Sequence, residues 1–183
     1  MMEVADGKVT GYMEETAFLN CQSRVPMPAP EDLMGAYLRA QDGYARRGVT
    51  TVQEGMMIPA MEPLYRQLCA AGLLKLDVVG YLDITQADGM RTASGKPCRA
   101  IRPVIIHAQM LAPDQLSRAA QNGMIPSFFV AHVYHWGDVH LENLGPERAA
   151  RISPAASAGA QGLRYTFHQD APVIQPDMLE TVW

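Results

Sequence analysis

The stretch Ile125 to Asp138, IPSFFVAHVYHWGD, constrains this chain more than any other. An apolar, β-branched and aromatic run stops abruptly at histidines, a tryptophan and an aspartate, the pattern of a buried strand that delivers polar side chains to a site. The same layout recurs on either side, in PVIIHAQ (Pro103 to Gln109) and RYTFHQDAPV (Arg164 to Val173). Three such strands predict one shared polar face, built where they end.

At 183 residues the chain is expected to form a single domain, with a hydrophobic share of 48% against 19% charged residues. That balance is typical of a water-soluble globular protein and excludes disorder. No run of about 18 apolar residues is present, so no membrane partner is expected. The net charge of -4, without a basic stripe, argues against nucleic acid. The opening MMEVADGKVTG lacks a basic-then-apolar leader, so a cytoplasmic location is expected. Cys21, Cys69 and Cys98 are far apart and odd in number, and read as reduced thiols rather than a disulfide or zinc framework.

The lead-in Met1 to Pro30 reads as loop-rich, because Asp6, Gly7, Gly11 and three prolines interrupt each short apolar group. Leu33, Tyr37, Ala40 and Tyr44 then predict a helix over Glu31 to Arg47, stopped by Gly48, and Val49 to Glu54 a strand. A second helix, Pro59 to Ala71, stops at Gly72 and leads to a strand over Leu74 to Ile84. This alternation is the grammar of a parallel α/β fold. The polar segment Thr85 to Ala100 breaks it, either as a surface loop or as a place where elements are missing. The alternation resumes with strand PVIIH, a helix over Pro113 to Asn122 with Leu116 and Ala119 or Ala120 inward and Gly123 as its stop, and the opening strand. A long connection from Val133 to Gly162 is expected, with a helical turn at Pro146 to Arg151 and a short helix capped by Ser153-Pro154. LRYTFHQD is the last strand, and Pro176 to Trp183 a short helix.

In a barrel of alternating strands and helices the carboxyl ends of the strands meet at one mouth. That rule directs Glu54, Asp83, His107, His132, His168 and Asp170 toward one rim. Imidazoles with carboxylates are the usual ligands of zinc and similar ions. For an isolated histidine a capping role is the commoner one; at His107 and Asp170, both at strand ends, metal binding is the stronger reading. His132, His135 and His140 could form a small metal site if Val133 to His140 is a compact loop, whereas Tyr134 and Trp136 suit packing or the wall of a substrate pocket. No serine sits in a GxSxG elbow, no glycine-rich phosphate loop is present, and no cysteine neighbours a histidine in sequence.

Three segments, RPVIIHAQMLAPDQL, IPSFFVAHVYHWGDVHLENLGPERAARISPAASA and GLRYTFHQDAPVIQPDMLETVW, strongly resemble the carboxy-terminal half of the amidohydrolase family three proteins. HxxxWGDxH with LGPERAxRISP is highly specific, and GYMEETAFLN and YARRGVTTVQEG resemble the family's stretch around its second barrel strand. The resemblance implies a TIM-barrel-like (β/α)8 fold and hydrolysis of a carbon–nitrogen bond other than a peptide bond, in a small amide-like substrate. It implies a divalent metal, zinc by preference, that activates water. His107 then matches the metal-binding histidine after the sixth strand. Asp170 matches the catalytic aspartate after the eighth, acting as general base and metal ligand. His132 matches a substrate-contacting position, with His135 and Trp136 beside it.

The family's first-strand HxH pair, fourth-strand ligand and fifth-strand histidine have no counterpart here. The resemblance therefore implies an incomplete barrel over residues 1–183, about five strands of eight, matching the second, third, sixth, seventh and eighth. Residues 30–84 would supply the second and third strands, 85–100 a polar join, and 101–183 the last three. Open strand edges are expected to promote self-association. The chain alone is expected to have little or no activity; the alternative is a non-catalytic fragment used in binding or assembly.

Overall fold

The computed structural model describes residues 2–13, 15–26, 28–82 and 103–182. Asp83, Cys98 and the polar join at Thr85 to Ala100 lie outside the described residues. The chain divides into two compact units, Met1–Ala40 and Gln41–Trp183.

The first unit corrects the loop-rich reading of the lead-in. Strands β1 (Met2–Ala5) and β2 (Lys8–Met13) form an antiparallel hairpin in which Ala5 pairs with Lys8. Asp6 and Gly7 between them both have positive φ, the pair of conformations a two-residue type I′ turn needs. The residues read as interruptions are the hairpin's turn. Helix α1 (Glu15–Gln22) follows, and α2 (Pro30–Ala45) begins with Glu31 and Asp32 in its first turn, where the helix dipole favours them.

In the second unit β3 (Thr51–Met57) lies parallel to β4 (Asp77–Leu82), connected through a short 3-10 turn and helix α3 (Glu62–Ala70). Leu68 and Leu76 are buried there. Gln41, buried near the end of α2, donates from Nε2 to the Leu73 carbonyl (3.1 Å) and accepts the Lys75 N–H (2.6 Å). One side chain thus satisfies two backbone groups on the approach to β4.

β5 (Val104–His107), β6 (Ile125–Phe128) and β7 (Thr166–Phe167) form a second parallel sheet with β6 in the middle. Its central position explains why its residues are the most buried of any strand. Pro126 sits in this central strand although it cannot donate. The Ile125 N–H bonds to Pro103 on the β5 side, so alternation turns Pro126 toward β7, where pairing starts one residue later, at Ser127 with Thr166. The missing N–H therefore falls beyond the ladder. Helix α4 (Pro113–Gln121) packs beside β6, its start secured by the Gln115 side chain accepting the Ala112 N–H. Leu116 and Ala119 face the core with Phe128, Ala158 and Leu163, while Ala120 faces out. Gly48, Gly72 and Gly123 take positive φ after their helices, as the sequence predicts.

The expected long connection after β6 is instead helical. α5 (Ala131–Ala149) is broken at Trp136 (φ -132°, ψ 20°) and at Gly145 (φ 73°, ψ 162°), the latter a conformation open almost only to glycine. Short helix α6 (Ala155–Ala160) is preceded by Pro154, not capped by Ser153. Ser153 has φ 49° and uses its N–H on the Gln109 carbonyl, 2.7 Å away. The final helix, α7 (Met178–Val182), is capped by Asp177 Oδ1, which accepts the Leu179 and Glu180 N–H groups. Among the described residues no helix is long and apolar enough to cross a membrane.

Candidate functional site at the ends of β5, β6 and β7

The carboxyl ends of these strands bring together side chains that are far apart in sequence. β5 ends at His107, and His107 and Ala108 both adopt left-handed backbone (φ 63° and 50°), which turns the chain sharply off the sheet. Beyond β7 the His168 N–H bonds to the Phe128 carbonyl at 3.1 Å, which extends the pairing and sets His168 beside the end of β6. Two residues on, Asp170 is again left-handed, at φ 53°. β6 continues into Phe129 and the first turn of α5, which carries His132.

Two imidazole pairs result. His168 Nε2 lies 3.0 Å from His107 Nδ1, and its Nδ1 lies 2.9 Å from the buried hydroxyl of Ser127. His107 Nε2 in turn approaches Asp170 Oδ2 at 4.0 Å, both side chains a little under half exposed. In the other pair His132 Nδ1 lies 3.1 Å from His140 Nε2, which also meets Gln109 Nε2 at 3.2 Å. Eight residues of straight α-helix rise about 12 Å. The His132–His140 contact therefore requires the break at Trp136. The buried Phe129 ring lies beneath both pairs, with centroids 4.5 Å from His132, 5.5 Å from His168 and 6.0 Å from His107.

Burial lowers the His168 pKa to about 4, helped by the neighbouring His107 and His132 and opposed by Asp170. Burial also lowers that of His132, helped by His140 and His107 and again opposed by Asp170. Both rings are neutral at physiological pH, the form that can offer a lone pair. Half-buried Tyr44 is raised, first by burial and then by the negative charges of Asp170 and Glu54.

Of the residues directed to one rim, the structure gathers His107, His132, His168 and Asp170. Glu54 is engaged on its own sheet, accepting from the Tyr65 hydroxyl (3.3 Å) and the Met56 N–H (3.3 Å). The compact loop that would have joined His132, His135 and His140 is a kinked helix: His132 and His140 meet, and His135 is exposed, its ring between Tyr134 and Trp136. Trp136 packs on His132 at 4.8 Å. Ser127, Phe129 and Gln109 went unnoticed in the sequence. The one available signal was Ser127, the sole hydroxyl in the run IPSFFV.

His107 and Asp170 offer the donor types a zinc-like ion takes. Two donors of a tetrahedral zinc lie about 3.4 Å apart, so this pair, at 4.0 Å, supplies the donor chemistry and would have to close by about 0.6 Å to share one ion. Among the described residues no group of three or more histidine, cysteine, aspartate or glutamate side chains could hold a metal.

A family model described as "Amidohydrolase family" matches residues 87–183, slightly more than half of the chain. A solved structure, an uncharacterized metal-dependent hydrolase from Pyrococcus furiosus, is similar in fold, with a TM-score of 0.70 at 14% identity over 92% of this chain. The chain spans about half of that protein, 53% of its length. No curated protein matches. With the family's model covering the three strands that build the histidine cluster, the chain belongs to the amidohydrolase family.

Proposed function

We propose that the chain carries part of the catalytic face of a metal-dependent hydrolase that cleaves carbon–nitrogen bonds other than peptide bonds in small amide-like substrates. The observation that carries this reading is the approach of His107 Nε2 to Asp170 Oδ2 at strand ends on opposite sides of β6. In this reading the five parallel strands are the second, third, sixth, seventh and eighth of a (β/α)8-type barrel, within one cytoplasmic domain.

His107 and Asp170 would hold the metal, zinc by preference, which when bound would supply a water acidic enough to react near neutrality. Asp170 also provides the carboxylate that would accept a proton there, as general base. His132, with Trp136 packed on its ring, borders the substrate, and His135 meets it from the exposed side. A catalytic zinc takes three protein ligands, and the described residues group fewer, so the chain alone is proposed to turn over little or no substrate. The same deficit favours a second reading, a non-catalytic fragment used in binding or assembly, self-associating through the outer edges of β5 and β7, which no other strand among the described residues pairs.

The test is equilibrium dialysis against zinc, followed by assays on a panel of amides. Weak zinc uptake, lost in His107→Ala and in Asp170→Ala, with hydrolysis near background, is expected. Uptake equal in all three proteins would remove the metal assignment. Stoichiometric zinc with turnover would overturn the inactivity and show that other side chains, such as His135 or His140 or those of a second chain, complete the site. A metal-free, discrete oligomer would favour the second reading.

A further inference from the structure

Ser127, His168, His107 and Asp170 lie in one line, with successive separations of 2.9, 3.0 and 4.0 Å. A neutral imidazole has one N–H and one lone pair, so the state of one ring dictates that of the next. With both rings neutral the line can run in only two directions.

Running outward, the Ser127 hydroxyl donates to His168 Nδ1, His168 Nε2–H donates to His107 Nδ1, and His107 Nε2–H is aimed at the Asp170 carboxylate. The first two protons then meet acceptors at hydrogen-bond distance, and the third faces the Asp170 carboxylate 4.0 Å away. Running inward, His107 Nδ1–H donates to His168 Nε2 and His168 Nδ1–H to Ser127 Oγ. The Ser127 proton is then displaced from its partner. Ser127 is 1% exposed, and among the described residues its hydroxyl has no other hydrogen-bond partner. At the far end the inward direction sets the His107 Nε2 lone pair against a carboxylate. Both ends therefore oppose it, the buried end more strongly, because the Asp170 contact is long and solvent-screened.

We propose that Ser127 and His168 are positioning residues that fix the tautomer of His107 in the metal-free chain, holding its proton on Nε2, toward Asp170. A cation taking the His107 Nε2 lone pair has to reverse the whole line, so the buried serine governs how readily His107 becomes a ligand. The tautomer assignment concerns the metal-free chain and does not require hydrolysis, so it stands or falls separately from the function proposed above.

Long-range 1H–15N spectra of the histidine-labelled full chain, with chelator and at about pH 8, above the ordinary imidazole range, read the tautomers directly. His107 is expected with Nε2 protonated and Nδ1 bare, in an excess on the order of tenfold or more, the penalty scale of a buried unpaired hydroxyl. His107 protonated on Nδ1, or an even mixture, would overturn the proposal. In Ser127→Ala, water entering the space can accept as readily as donate, so the minor His107 tautomer should grow severalfold. A His107 pattern unchanged by this substitution would remove Ser127 from the assignment. Should Ser127→Ala fail to fold, Ser127→Cys, similar in size but a weak donor, makes the same comparison.

Discussion

The two parallel sheets of the second unit differ by one strand, and that strand changes what the sheet can do. β3 and β4 have each other as their only strand neighbour among the described residues, and β3 shows solvent at Thr51, Gln53, Gly55 and Met56. β6 has a neighbour on each side and is almost wholly enclosed. The enclosed strand can keep a serine hydroxyl dry and hold a phenylalanine under four rings. The exposed pair instead relies on Gln41 and on the Lys75–Asp42 ion pair at its margin. A site with directed hydrogen bonds needs the first kind of sheet.

The contrast is open to measurement by urea denaturation. Phe128→Ala, at the fully buried centre, is expected to lose about 3–5 kcal/mol. Val79→Ala, exposed on β4, should stay within about 0.5 kcal/mol; comparable losses at the two positions would erase the distinction. Gln41→Leu leaves the Leu73 carbonyl and Lys75 N–H without their partner, and a loss of about 1–3 kcal/mol is expected. A neutral result there would mean that the β4 side does not depend on that side chain. Gly145→Ala, in its strained conformation, should lose roughly 1–3 kcal/mol without disturbing the zinc behaviour of the chain.

The burial of the β6 side also predicts a pH dependence. The pKa of His168 falls from the usual 6.5 to about 4 on folding, so between these values the unfolded chain binds the extra proton. Its contribution to stability is complete above pH 6.5, declines as the pH falls toward 4, and declines no further below that. His132 acts in the same direction. Urea midpoints of the metal-free chain across that window should slope less steeply in His168→Gln than in the parent. Equal slopes would count against burial as the cause.

Strand positions and helix stops were legible wherever a local rule governs them. An apolar run ending at a histidine marked β5; the same signal located β6 but overran it, because that strand stops at Phe128 and His132 lies in the first turn of α5, while a glycine closing a periodic stretch marked the helix ends at Gly48, Gly72 and Gly123. The meeting of His107 with His168 and Asp170 followed from parallel strand order. What escaped were features that only a tertiary partner defines. Ser127 and Phe129 look like strand residues until His168 and the ring cluster surround them. α5 was hidden because Gly137, Gly145 and Pro146 interrupt its pattern, although His132, Trp136 and His140 recur at spacings of four. The Asp6-Gly7 turn was visible, but it was read as a break between elements when it joins two strands.

The left-handed backbone at His107 and Asp170 bears on how this protein could be re-engineered. Side chains in that region carry a penalty of about 1–2 kcal/mol that glycine escapes. A redesign ranked by thermostability alone would write glycine into both positions and be rewarded for it. The resulting protein would melt later and would have lost both donors of the candidate metal pair, so these two residues have to be held fixed before any stabilising search begins.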